Sequence, residues 1–346
     1  MENQIKILGY DLLGQQESEG IRYVWKNDTT PFLLESASFI NKTKGKKEDI
    51  SGYTTSVSMG CVLKSVGYAC KFCRTGAKLP YSGMLSAYEI AKQNVFMVLM
   101  DLEYAYNGNL INNQREFAYM GQGEPGYSYA QLKLAIKLTD YVMNMLGQKV
   151  HRHIISTSGI PEMIYAVSED VKNKYFDSRI TLHFSLHTTS IRDELMPINK
   201  KYPYDDVLNY LKKFSMITGE KVCIGFLLLN EFSNKNREFI YTTSIDEIEM
   251  LLNKIDDKYF RLSLCEFNSS SDVGNCKPFE QEEAKRIFQY IREKGYEVKV
   301  FSSFGKENNA ACGMLGGQSP QILIDEKIIS LEEYSESLIR EAYMHV

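Results

Sequence analysis

Three features of the sequence predict an α/β fold, a parallel sheet curled into a full or partial (β/α) barrel. β-prone runs alternate with helical runs from residue 51 onward, at the spacing of βαβ units. The motifs with chemistry in them fall just after β-prone runs, where a barrel of this kind gathers its functional groups. The chain is also long enough, at 346 residues with 44% hydrophobic content, to bury a full core.

Residues 1–50 read as a small β extension, with expected strands at Ile21–Trp25 and Pro31–Phe39 joined by the turn residues Asn27–Thr30. Lys44–Asp49 is a charged loop, and Tyr53–Met59 is a β-prone run leading into the first cysteine. Leu85–Leu102 is an expected helix with Ser86 as its N-cap. Glu116–Met120 is a strand, and Tyr129–Met145 is a helix ended by Gly147. Strands follow at His153–Thr157, Ile180–Leu186, Val222–Leu229, Phe260–Phe267 and Tyr296–Phe301. The helices between them are expected at Pro161–Ser168, Asp205–Thr218, Ser244–Ile255 and Glu280–Lys294. A core over 51–317 is therefore expected, followed by a tail, 318–346, whose helix at Leu331–Met344 packs as a lid. Asp101–Asn113 and Asn230–Arg237 read as loops with a role in substrate binding as the alternative to plain solvated turns.

Composition narrows the class. No apolar run reaches membrane length, and Met1–Gln4 does not begin a signal peptide, so a cytoplasmic protein without a membrane partner is expected. Net charge is −4, and the longest basic cluster is Lys44-Gly45-Lys46-Lys47, which disfavours a protein built mainly to grip phosphate backbone.

Three of the seven cysteines, Cys61, Cys70 and Cys73, fall within thirteen residues. They are too few for a closed four-ligand zinc site. Three thiolates suit a cubane [4Fe-4S] cluster with one iron left open. Cys223 and Cys265 lie inside strands and read as core, whereas Cys276, between Ser269 and Pro278, has no clear assignment.

The combination of Cys61-Val62 with Ser65-Val66-Gly67, Cys70-Lys71-Phe72-Cys73 with Thr75-Gly76, Met120–Pro125, Ile155–Gly159, Phe184–His187, Arg192–Pro203 and Ala310–Gly313 resembles the radical S-adenosylmethionine (SAM) superfamily. Within it, the sequence is similar to the branch that methylates carbon 2 or carbon 8 of an adenine in ribosomal or transfer RNA. The resemblance implies a partial barrel of the radical SAM type, a [4Fe-4S] cluster and SAM. It implies that Gly123 and Glu124 meet the SAM amino group, that Ser156, Ser185, His187 and Asn268 line the SAM pocket, and that Phe72 is the aromatic residue before the last ligand. It also implies that Cys312 accepts a methyl group from one SAM and passes it on after a second SAM yields a radical.

The sequence departs from that family in two places. Tyr68 stands where the first cluster cysteine is expected, and the loop is two residues shorter. Either Cys61 becomes the first ligand, giving Cys-x8-Cys-x2-Cys, or only two protein thiolates hold the cluster. The first is the expectation, because two would hold it poorly. Cys61, however, aligns with the thiol that helps to resolve the family's covalent adduct, so that step would fall to another group such as Cys276 or Cys265. The family's RNA-modifying members also carry an N-terminal helical domain that holds RNA, where residues 1–50 here read as β.

The reading is a radical SAM enzyme that transfers a methyl or one-carbon unit through Cys312 to an unreactive carbon of a small-molecule, nucleotide or peptide substrate. An external one-electron reductant of the flavodoxin or ferredoxin type is implied. One alternative is an RNA adenine methyltransferase, with RNA as partner; the other is a radical SAM enzyme of hydrogen abstraction without methyl transfer.

Overall fold

The computed structural model describes residues 5–13, 18–41, 50–103, 113–233, 239–241, 243–268, 273, 276–301 and 314–346. Its chain begins with an antiparallel meander, β1 (Ile5–Leu13), β2 (Ser18–Asn27) and β3 (Thr30–Asn41), which joins β4 (Ile50–Thr54) in the same sense. β5 (Ser58–Met59) and β6 (Gly83–Met84) form a small pair that brackets two short helices, α1 (Val62–Ser65) and α2 (Arg74–Lys78). Then helix and strand alternate: α3 (Ala87–Glu103), β7 (Gln114–Tyr119), α4 (Tyr129–Met145), β8 (Lys149–Thr157), α5 (Pro161–Lys172) and β9 (Ile180–Ser185). α6 (Arg192–Leu195), α7 (Tyr204–Thr218), β10 (Val222–Ser233), β11 (Phe239–Tyr241), α8 (Ile245–Leu252) and β12 (Phe260–Glu266) continue the pattern. β13 (Cys276–Pro278), α9 (Gln281–Glu293), β14 (Val298–Phe301), β15 (Ile322–Leu323) and α10 (Glu326–Tyr343) complete it.

The strands β4, β7, β8, β9, β10, β12 and β14 lie side by side in chain order and all pair in parallel. Each βαβ step thus adds its strand to the same edge, the outcome expected of right-handed crossovers that curl a sheet. The meander extends the other edge through β3 and β4, and β15 pairs antiparallel with β1. The described sheet is open, with β14 and β15 as its two edges.

α3 is buried along most of its length because α4 and α10 pack beside it, over β3. Lys92, fully buried on α3, donates to the Ile5 carbonyl at 2.7 Å and pairs with Glu332 at 2.6 Å and Glu336 at 2.8 Å on α10. One ammonium therefore fixes the first strand and the last helix to the third helix. At the far side of the meander, Arg22 donates through Nε to Asp11 at 2.9 Å and also binds Glu35, all three side chains being buried. Glu35 and Asp11 in turn accept from the backbone N–H groups of Gly317 and Gln321, so the same charges hold the returning chain.

Several boundaries differ from the sequence expectation for identifiable reasons. The run Tyr53–Met59 breaks between β4 and β5, because the Gln93 amide takes both the N–H and the carbonyl of Ser56 in place of a strand partner. The strand at Ile180–Leu186 stops at Ser185, since His187 adopts a left-handed φ of 66°. The last helix begins a turn and a half early, at Glu326, where the Asp325 carboxylate accepts from the Ile328 N–H at 2.9 Å. Asp101 lies not in a loop but buried in the last turn of α3, and Asn230 lies in β10. Positions 104–112 and 234–237 of those two expected loops lie outside the described residues. Ser86 does cap α3: its hydroxyl accepts from Glu89 N and its own N–H donates to the Glu89 carboxylate, a reciprocal box. No helix among the described residues is long and apolar enough to cross a membrane.

Replacing Lys92 by alanine takes from Glu332 its cation and, among the described residues, leaves Glu336 only the exposed Arg340 at 3.6 Å. The Lys92→Ala chain is expected to lose about 3 kcal/mol of stability, read from the urea midpoint; an unchanged midpoint would contradict this role.

Candidate functional site

The cysteine loop is fastened on both flanks. Gly60 has φ 72°, and a Cβ there would collide with the Pro80 carbonyl, so only glycine fits. Its N–H donates to the Gln122 side-chain oxygen at 3.1 Å, and Gln122 itself is held by Ser56 and Val57. Cys61 directly precedes α1 and Cys73 directly precedes α2, so each thiol sits where the chain turns into a short helix. Between them the Lys71 N–H donates to the Leu195 carbonyl at 3.0 Å, docking the loop on α6. Arg74 and Thr75, on the first turn of α2, bind the carbonyls of Met314 and Leu315 at 3.2 and 2.6 Å.

The three thiols share one electrostatic neighbourhood. Burial, then the neighbouring Cys73, pushes the Cys61 thiol up to about 12. Burial raises Cys70 as well, Cys73 and Cys61 add to the shift, and Arg192 opposes it. Among the described residues no three His, Cys, Asp or Glu side chains gather closely enough to hold a single metal ion. Cys61 and Cys70, raised chiefly by burial and further by the neighbouring thiols, stand with Cys73 beside a buried guanidinium and form a donor set that fits an iron–sulfur cluster: metal binding removes the protons and the cation offsets the negative thiolates.

Behind the loop lies a polar relay. The Glu124 carboxylate is buried and accepts from Gly126 N at 3.0 Å, Thr157 Oγ1 at 2.6 Å, Ser158 N at 2.8 Å and Ser158 Oγ at 2.7 Å. Four donors occupy the sites two carboxylate oxygens offer. Glu124 is thus engaged in joining the loops after β7 and β8, an occupation the sequence did not signal for a proposed partner of an ammonium group. Gly123, with φ 105°, packs where a Cβ would strike the Ser58 hydroxyl, so its lack of a side chain serves the approach to the β5 segment.

Arg192 completes the relay. Its guanidinium is buried and donates to the carbonyls of Ser158 at 2.7 Å, Ser185 at 2.7 Å and Leu186, while Nε reaches Asn199 at 3.1 Å. Burial lowers it to about 10, and the nearby Cys70 is the first influence holding it up. Sequence reasoning assigned Arg192 no role beyond its place in a motif; the available signal was an arginine two residues past the strand-end turn His187–Ser190.

The strand-end residues gather on this side. Ser156 and Ser185 are half-buried in β8 and β9, and Asn268 is buried just past β12. His187 is buried beside Phe72, ring edge to face at 4.8 Å. Burial, and Arg192 after it, lowers its imidazole to about 3, so the ring is neutral at physiological pH. Its Nδ1 is buried with no partner among the described residues, an orphan polar atom that suits a ligand contact. Cys223 is buried as expected, and Cys276 belongs to β13 against β10, where burial pushes its thiol up to about 12. Cys265 differs from the core reading: it is half-buried, and it and the His187 ring flank Gly225. Cys312 lies outside the described residues.

No family model matches the chain. It is 28% identical over 304 residues to the probable dual-specificity RNA methyltransferase RlmN of Dictyoglomus thermophilum, a match covering 85% of this chain and 78% of that protein. It is 29% identical over 273 residues to the ribosomal RNA large subunit methyltransferase Cfr of Clostridium botulinum, covering 78% and 70%. In fold it is similar to the crystal structure of a radical SAM methyltransferase from Sphaerobacter thermophilus, with a TM-score of 0.70, 20% identity, and 91% and 82% of the two chains covered. The chain is thus similar in sequence to the RlmN and Cfr methyltransferases and shares the fold of a radical SAM methyltransferase structure.

Proposed function

We propose that this chain transfers a methyl or other one-carbon unit to an unreactive carbon of a small-molecule, nucleotide or peptide acceptor, with Cys312 as the thiol that carries the unit. The observation that carries the reading is the clamp of Arg74 and Thr75 on Met314 and Leu315. It ties the residues directly after Cys73 to Met314 and Leu315, which stand two and three positions past Cys312 in the sequence. When bound, the cluster and SAM supply reductive cleavage and the methyl group.

Cys61, Cys70 and Cys73 are assigned to hold the cluster. Arg192 keeps a positive charge next to Cys70 and orders the loops after β8 and β9. Ser156, Ser185, His187 and Asn268 are assigned to the SAM pocket with Gly123 and Phe72. Glu124 fixes Thr157 and Ser158 at the pocket edge; its carboxylate reaches an ammonium only by giving up one of those bonds. His187, neutral through burial, offers its ring nitrogen as a hydrogen-bond partner and not as a charge.

Ile5–Leu13, Ser18–Asn27 and Thr30–Asn41 are β strands continuous with the barrel sheet, and the net charge of −4 supports a small or peptide acceptor over a long nucleic acid. The names of the relatives favour a second reading, methylation of an adenine in RNA.

Intact mass of the native chain, expressed with its cluster and exposed to SAM, is expected to show Cys312 heavier by one methyl group, and Cys312→Ala is expected to show none. An unmodified thiol under turnover would overturn the carrier role. Binding of adenine-containing RNA with an affinity that falls steeply with salt would carry the second reading.

A further inference from the structure

From Ile50 to Tyr88 the chain contains no aspartate or glutamate, against four basic residues, Lys64, Lys71, Arg74 and Lys78. A protein of net charge −4 with 44 acidic residues has thus kept all of them out of the stretch that contains the three thiols. Arg74 is buried and spent on the Met314 carbonyl, and Lys64 reaches the Ala77 carbonyl at 2.9 Å, which brings it beside the end of α2. Lys71, between Cys70 and Cys73, and Lys78, at the end of α2, are exposed. The same stretch exposes two apolar side chains, Val66 at 46% and Met84 at 53%. Asp193 and Glu194 on neighbouring α6 are followed by Lys200 and Lys201, so that element adds little net charge.

We infer that this acid-free, lysine-bearing cover of the cysteine loop is the docking face for a small acidic one-electron carrier protein. The inference rests on the functional reading above, because only a redox centre behind the loop needs such a partner. One electron leaves the reduced carrier and enters the oxidised cluster; the carrier is oxidised by one electron, and no bond forms or breaks. Electron transfer weakens steeply with distance, so the carrier must approach over the ligands themselves, and Lys71 lies within the Cys70–Cys73 turn. Complementary charge steers such an encounter, and a few exposed apolar groups suffice for the small, transient contacts of redox partners. A nucleic acid is the less favoured occupant, since few exposed lysines lie here and phosphate grip needs a concentrated positive face.

The test uses the full chain with its cluster reconstituted and an acidic flavodoxin as the probe. Bleaching of the cluster absorbance by reduced flavodoxin is followed by stopped flow for the native chain, Lys71→Gln/Lys78→Gln and Lys71→Glu/Lys78→Glu, with dithionite as a reductant that needs no docking face. The bimolecular rate is expected to fall about tenfold in the neutral variant and further in the reversed one, with the native rate alone falling as salt rises. Dithionite reduction and the cluster midpoint potential should stay unchanged. Equal flavodoxin rates in all three chains would overturn the inference. So would loss of binding to a short RNA hairpin in the variants with the flavodoxin rate intact. Titration of the chain with oxidised flavodoxin needs no cluster, so a chain that fails to load iron, which would defeat the functional reading, still decides: charge-dependent binding supports the face, and absence of binding overturns it.

Discussion

Ser158 is held between two buried opposite charges. Its N–H and hydroxyl go to Glu124, and its carbonyl receives Arg192. Through that single peptide the loops after β7, β8 and β9 are locked together, since Glu124 follows β7 and Arg192 also binds Ser185 and Leu186 at the end of β9. Both charges are taken out of water, which is tolerable only because nearly every polar atom of each is satisfied. The ends of β8 and β9 are therefore preorganised by Glu124 and Arg192.

The same economy explains how a shortened cysteine loop is tolerated. Gly60 makes the tight turn, Gln122 ties it to the segment after β7, Lys71 pins its middle to α6, and Arg74 with Thr75 pins its end to Met314 and Leu315. With its anchors spread over three elements, the loop brings Cys61 into the neighbourhood of Cys70 and Cys73 although Tyr68 occupies the expected ligand position. A Cys61 that holds iron is not free to serve as a second thiol. Cys276 is a poor replacement, buried in β13 with its thiol strongly disfavoured as thiolate, whereas Cys265 stands half-buried across Gly225 from His187.

Much of the fold was legible because local signals agreed with the global pattern. α4 runs from Tyr129 to Met145 as read, α5 starts on Pro161, and α7 ends at Gly219 with φ 74°. What escaped was decided by side chains distant in sequence. Gln93 breaks the run before the cysteines, a buried lysine recruits α10 onto α3, and β1 gains its outer partner, β15, from the far end of the chain. The site divides in the same way: the three cysteines announce themselves by spacing, whereas Ser156 and Ser185 are singled out only by the resemblance to a known family. The occupation of Glu124 and the centrality of Arg192 are announced by neither, because both depend on which carbonyls and hydroxyls the folded strands bring within reach.

The account stands most directly on Cys61 as the third thiolate. Iron and sulfide content, with the low-temperature EPR of the reduced protein, should be compared between the native chain and Cys61→Ala after anaerobic reconstitution, with circular dichroism confirming that both are folded. The account predicts that the folded variant loses most of its cluster. Full loading with an unchanged EPR signal would show that Cys61 does not hold iron and would return it to the role of a second thiol.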